Sequence, residues 1–259
     1  MRALPWFAAI VLLLIAGAAA AATTRLLFVG NSLTYVGNLP AVVDALAAAN
    51  GTTTSSDMLV GAGATLSERV ADGSVDRALA AQHYDYVILQ ERGGNLIGAA
   101  GDASLHETNA AHEALAQLAR RNGAEPILLG TYQGLPQASR ALVAAESAQA
   151  KRLSMPHVAV SQRLQGGLSS VPDAEWFAAD RMHPGPDLTL LDALLLYRAL
   201  FGVFPRATAL TVEAPVYGVH AGFADATLVR AGAARVAADA AYRYSLERVQ
   251  RILTVAESR

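Results

Sequence analysis

Two short clusters carry the side chains best suited to chemistry. Near the start, Gly30-Asn31-Ser32 places a hydroxyl directly after an apolar run, Leu26 to Val29. Far along the chain, Asp180-Arg181-Met182-His183-Pro184-Gly185 sets a carboxylate and an imidazole three residues apart, in a segment that Pro and Gly mark as a loop. Hydroxyl, imidazole and carboxylate are the parts of a nucleophilic relay. The imidazole takes the hydroxyl proton, while the carboxylate fixes the imidazole tautomer and stabilises the imidazolium. One loop can present Asp180 and His183 together without long-range assembly. Each cluster also has an ordinary reading: Ser32 shapes a turn, Asp180 caps a helix entry, and His183 is a polar loop residue.

The elements that must position these groups alternate. Leu26 to Val29 suits a strand buried on both faces of a parallel sheet. Gly30-Asn31 supplies a tight turn, and Leu39 to Ala49 reads as a helix stopped by Asn50-Gly51. Thr52 to Val60 reads as a second strand that runs into the small-residue loop Gly61-Ala62-Gly63-Ala64-Thr65. Val75 to Gln82 is helical, Tyr84 to Gln90 a third strand, and Glu91 to Gly101 a glycine-containing loop. Ser104 to Arg121 is a long helix, with Ser104 and Glu107 matching a capping box. Pro126 to Tyr132 is a strand, Gln137 to Leu153 a helix, and Pro156 to Val160 a short strand. Pro186 to Leu200 is an apolar helix, and Asp225 to Glu257 reads as one or two amphipathic helices. The alternation predicts an α/β chain: a three-layer α/β/α sandwich with a central parallel sheet. Ser32 then sits at the C-terminal edge of the first strand, where open α/β folds place their ligands.

Bulk properties narrow the field. The chain has 259 residues, 53% hydrophobic and 16% charged, with a net charge of −2, which fits a globular chain with a large core. No basic run stands out, which argues against nucleic acid as a partner. There is no cysteine, so disulfides, cysteine zinc sites and lipid attachment through cysteine are excluded. Arg2, the apolar stretch Trp6 to Ile15 and the small residues Ala16 to Ala22 have the layout of a secretory signal peptide, with Ala20-Ala21-Ala22 as cleavage site. The expectation is an exported protein, periplasmic or secreted, with no stable membrane anchor after cleavage. Residues 23–259 are then expected to form one domain.

Together the two clusters resemble the SGNH (GDSL-type) hydrolase family, whose fold is flavodoxin-like. In that family the serine comes first, and the aspartate and histidine come late on one loop. Ser32 matches the serine of the first block, and Asp180 and His183 match the last. Gly63, in Gly63-Ala64-Thr65, matches the glycine of the second block. The resemblance implies that the Ser32 and Gly63 backbone N–H groups form an oxyanion hole. The third block departs from the family's Gly-x-Asn-Asp: here the strand ends Leu89-Gln90-Glu91, which looks like a branch of its own. Gln90 is the implied replacement for the usual asparagine donor, with Asn95 on the same loop as the alternative. The similarity spans roughly Arg25 to Gly202.

What the resemblance implies is an esterase that uses Ser32 as nucleophile, His183 as base and then acid, and Asp180 to orient His183, without metal or organic cofactor. The expected partner is a small-molecule or carbohydrate ester, with acetyl groups on a glycan favoured by export. An O-acyltransferase and a non-catalytic glycan-binding protein of the same fold are the alternatives. A phosphate or nucleotide binder would need a glycine-rich anion loop, and Gly30-Asn31-Ser32 is too short for one. His106 and His112 are six apart, unlike the i, i+4 spacing of helical zinc ligands, and read as surface residues. His83, His157 and His220 lack supporting spacing. Tyr132, Trp176 and Phe177 are candidate cleft aromatics, although aromatics also fill cores.

Overall fold

A computed structural model of the chain describes residues 22–223, 226–232 and 241–258. The expected leader falls almost wholly on residues 1–21, outside the described residues. Among the described residues, no helix is long and apolar enough to cross a membrane.

In chain order the elements are β1 (Thr24–Gly30), α1 (Ser32–Tyr35), α2 (Leu39–Ala49), β2 (Thr54–Val60), α3 (Leu66–Ala71), α4 (Ser74–Ala81) and β3 (Tyr86–Leu89). There follow α5 (Asp102–Arg121), β4 (Glu125–Leu129), α6 (Pro136–Arg152), β5 (His157–Val158), α7 (Val160–Ser170) and α8 (Pro186–Phe201). The last are β6 (Leu210–Val212), β7 (Leu228–Arg230), β8 (Tyr242–Tyr244) and α9 (Leu246–Glu257). The main sheet has the order β5-β4-β3-β1-β2-β7. All neighbours in it are parallel except β2 and β7. The sheet is therefore mixed at one edge and not wholly parallel as expected.

The apolar runs are continuous because the central strands are buried on both sides. Successive residues still divide between the faces. Leu26 and Phe28 of β1, Met58 and Val60 of β2 and Ile88 of β3 enter one core, which α2, α7, α8 and α9 complete. Leu27, Val29, Leu59, Val87 and Leu89 enter the other, covered by residues of α3, α4, α5 and α6. The result is three layers, helices on both faces of the sheet, as the alternation predicts. The chain starts in mid-sheet, lays β2 on one side, then crosses back to lay β3, β4 and β5 on the other. The order reverses between β1 and β3, and the crevice at their C-terminal ends is where such folds hold ligands.

Several details differ from the sequence reading. α5 starts at Asp102 behind Gly101, with no side-chain cap, so Ser104 and Glu107 lie inside it. The capping box is at Thr65 and Glu68 instead, opening α3. His112 is fully buried and not a surface residue, with Nδ1 2.8 Å from the Thr108 carbonyl. Burial pushes its imidazole down to about 4. The expected C-terminal helices reduce to α9. Before it lie β7, which extends the main sheet, and β8, which pairs with β6 in a small antiparallel sheet; the rest of that stretch lies partly outside the described residues.

Candidate active site

The turn after β1 is fixed by every residue of Gly30-Asn31-Ser32-Leu33-Thr34. A Cβ on Gly30 would come within 2.3 Å of Thr34 Oγ1, so a side chain there would displace the turn. Asn31 caps α1: its Oδ1 accepts from Leu33 N–H at 3.0 Å, and its Nδ2 donates to the Ala64 carbonyl at 3.2 Å. That second bond ties the Ser32 turn to the loop after β2. Thr34 Oγ1 donates to Gln90 Oε1 at 2.6 Å, which ties the same turn to the end of β3. Ser32 is thereby held between two strand ends, with 8% of its surface exposed.

The loop with Asp180 and His183 is pinned at its base. Gly185 N–H donates to the Trp176 carbonyl and Ala178 N–H to the His183 carbonyl, both at 2.9 Å. A Cβ on Gly185 would lie 2.2 Å from the Glu175 carbonyl oxygen, so the two arms of the loop can approach only with glycine there. At the tip, Arg181 adopts the left-handed region with φ +58. This lets the chain fold back so that Asp180 Oδ1 accepts from the Met182 and His183 N–H groups at 2.9 and 3.0 Å. Asp180 Oδ2 lies 2.6 Å from His183 Nδ1. The His183 N–H, the imidazole and the Met182 N–H pull the Asp180 carboxyl down to about 2. With Nδ1 occupied, Nε2 of His183 has no partner among the described residues. Tyr132 Oη donates to the Met182 carbonyl at 2.8 Å and its ring meets Phe177 at a tilt, which steadies the loop from the β4 side.

A cavity of about 870 Å³ joins these parts. Ser32, Gly63, His183, Tyr132 and Phe177 all line it. Ser32 and Gly63 keep backbone N–H groups with no acceptor among the described residues. Gly63 has φ +66 and nothing near an added Cβ, so it is glycine for its backbone and not for space. Trp176 does not reach the wall. It is buried in the core, with its indole N–H donating to the Val171 carbonyl at 3.0 Å.

Gln90 and Asn95 are both buried and neither is on the cavity wall. The Asn95 amide is engaged, donating to Glu91 Oε1 at 3.2 Å and accepting from Arg92. Gln90 Nε2 has no acceptor among the described residues. Glu91, between the strand and the wall, accepts from Arg92 N–H at 2.7 Å, and burial pushes its carboxyl up. Sequence reasoning passed over Asn31 and Thr34 as tethers and Arg92 and Arg181 as wall residues. Only the tethers had a signal, a polar side chain on each side of the candidate serine. Among the described residues, no three His, Asp or Glu side chains gather into a set that would hold a metal.

No family model matches this sequence, and no curated protein is similar to it. Solved structures are. A protein of Slackia heliotrinireducens, provisionally named an SGNH hydrolase, is 25% identical with TM-score 0.57, over 69% of this chain and 100% of that one. The lipase/acylhydrolase of Enterococcus faecalis is 14% identical with TM-score 0.56, over 71% of this chain and 100% of that one. A psychrotrophic esterase of a Pseudoalteromonas species is 13% identical with TM-score 0.53, over 68% and 96%. With its sheet order and the loop positions around the cavity, the chain has the fold of the SGNH hydrolases.

Proposed function

We propose that this chain is a serine esterase. Ser32 Oγ attacks the ester carbonyl, His183 Nε2 takes its proton and returns it to the leaving alcohol, and Asp180 holds the imidazole in the tautomer that permits this. The observation that carries the reading is one cavity lined by both Ser32 and His183, with His183 Nδ1 already held by Asp180 at 2.6 Å. The N–H groups of Ser32 and Gly63 are the oxyanion donors in this scheme. Gln90 is the third. Water then attacks the acyl-enzyme, with His183 again as base.

Acetyl esters of a carbohydrate are the substrates we propose, together with export of the protein. The volume of the cavity, about 870 Å³, favours a bulky alcohol, and the leader-like N-terminus favours a substrate outside the cell. The test is hydrolysis of p-nitrophenyl acetate by the chain without residues 1–22, beside Ser32→Ala. The expected outcome is a kcat lower by about 10³-fold or more in the variant, with circular dichroism unchanged. Equal rates in the two proteins would remove Ser32 as nucleophile.

A further inference from the structure

The cavity wall has an uneven charge. Besides His183, its charged side chains among the described residues are Arg92 and Arg181, and no described aspartate or glutamate lines it. Both arginines are exposed. Elsewhere Arg69, Arg152, Arg230, Arg248 and Arg251 are ion-paired with carboxylates. The Arg181 guanidinium has no partner among the described residues, and Arg92 reaches only Asn95 Oδ1, from Nε and Nη2, at 3.4 Å. The two carboxylates beside them in sequence are already engaged. Glu91 takes N–H donors from Arg92, Asn95 and, at 3.4 Å, Leu66. Asp180 takes them from Met182 and from both the backbone and ring of His183. What the site offers an incoming anion is therefore free guanidinium donors, with no unpaired carboxylate to repel it.

Arg181 carries a second sign. Its left-handed backbone disfavours any residue with a Cβ, and glycine or asparagine would fill the position with less strain. The loop needs that backbone to return two N–H groups to Asp180, but it does not need an arginine for it. The backbone therefore gives no reason for an arginine here, and its side chain lines the cavity. A guanidinium binds a carboxylate through paired, charge-assisted hydrogen bonds, which are stronger than neutral ones.

We propose that the substrate is an ester whose alcohol portion carries a carboxylate, as an acidic sugar does, held by Arg92 and Arg181 while Ser32 reaches the acyl carbon. This rests on the esterase reading with acetyl as the acyl group, so the acidic group must belong to the alcohol. Arg92 and Arg181 become specificity residues and take no part in the proton transfers.

The experiment uses a matched pair of substrates, an acetylated methyl glucuronoside and the corresponding acetylated glucuronamide, which differ by one charge. Acetate release is measured for the parent, for Arg92→Gln/Arg181→Gln and for Arg181→Gly. The parent should favour the acid in kcat/KM by about tenfold or more at low ionic strength. That ratio should fall towards one in 1 M salt and in the double variant. Arg181→Gly should lose part of the preference without a lower Tm, which a merely structural arginine would not allow. Calorimetric binding of methyl glucuronoside to Ser32→Ala, with and without the two arginines, reads the same recognition without catalysis. A parent ratio near one, or a ratio that survives in the double variant, would overturn the proposal. Failure of the esterase reading would be visible separately, as p-nitrophenyl acetate hydrolysis that does not depend on Ser32.

Discussion

The Asp180–His183 pair, which we propose for catalysis, and the Glu146–His157 pair are built from the same kinds of side chain in different settings. Asp180 binds His183 through Nδ1, is partly open to solvent, and shares a loop with it. Glu146 lies 3.2 Å from His157 Nε2, is almost completely buried, and comes from α6 while the histidine comes from β5. Its other oxygen accepts from Thr131 N–H at 2.7 Å and lies 3.3 Å from Thr131 Oγ1. Gly130 leaves room for it, since a Cβ there would lie 2.6 Å from Glu146 Oε2. Glu146 thus fastens the end of β4 to α6 and β5. A carboxylate beside an imidazole does not make a relay. The relay also needs the remote nitrogen free and a hydroxyl on the same cavity wall, and His157 does not line the cavity of Ser32.

This contrast can be broken first by activity. His183→Ala should lower kcat by about 10³-fold or more, whereas His157→Gln should keep the kcat of the parent. Esterase assays on both variants, with circular dichroism to verify the fold, decide it; an inactive but folded His157→Gln would end the distinction. Stability gives the reverse order. Glu146→Ala strands the buried Thr131 N–H, at a cost of about 1–3 kcal/mol. Its Tm should drop by about 2–4 °C for each of those kcal/mol, while turnover per folded molecule stays near the parent's. A Tm equal to the parent's would mean that Glu146 does not hold β4.

The smallest effect is in acid. Asp180 is ionised in the fold down to about pH 2, whereas an unfolded aspartate titrates near 3.9. Between those values the unfolded state binds the proton more readily, so stability falls as pH falls. The contribution of Asp180 is present above about pH 4 and lost towards pH 2. Thermal melts of the parent and Asp180→Asn should therefore converge over that interval. A gap that stays constant to pH 2 would show that the loop bonds do not depend on the charge.

The fold was legible where pattern length was adequate. β1, β3 and β4 announced themselves as apolar runs and β2 by a β-branched start with an apolar end, and several of their helices by long amphipathic stretches. β6, β7 and β8 have three residues each, too few to display a period, and Ala- and Arg-rich neighbours imitate a helix. His112 was misread because its type suggests exposure, yet the spacing of Thr108, Ala111, His112, Leu115, Ala116 and Ala119 marks one buried stripe on α5. At the site, Ser32, Gly63, Asp180 and His183 could be named because small motifs carry them. The sequence does not tell which amide donors are spent: Gln90 lies nearer the strand end than Asn95, but position alone says nothing of their partners. Only the contacts with Thr34, Glu91 and Arg92 separate them.

The antiparallel strand β7 has a consequence for the life of the chain before it is complete. β2 carries Met58, Leu59 and Val60, apolar residues on a strand whose outer edge is paired, among the described residues, by β7 and the Ala231 N–H that follows it. An open edge with apolar side chains is a template for joining another chain. β2 is made early and its cover very late, so through most of synthesis this edge stands unguarded. The last quarter of the chain, which contributes little to the wall of the cavity, is in that respect a guard against self-association.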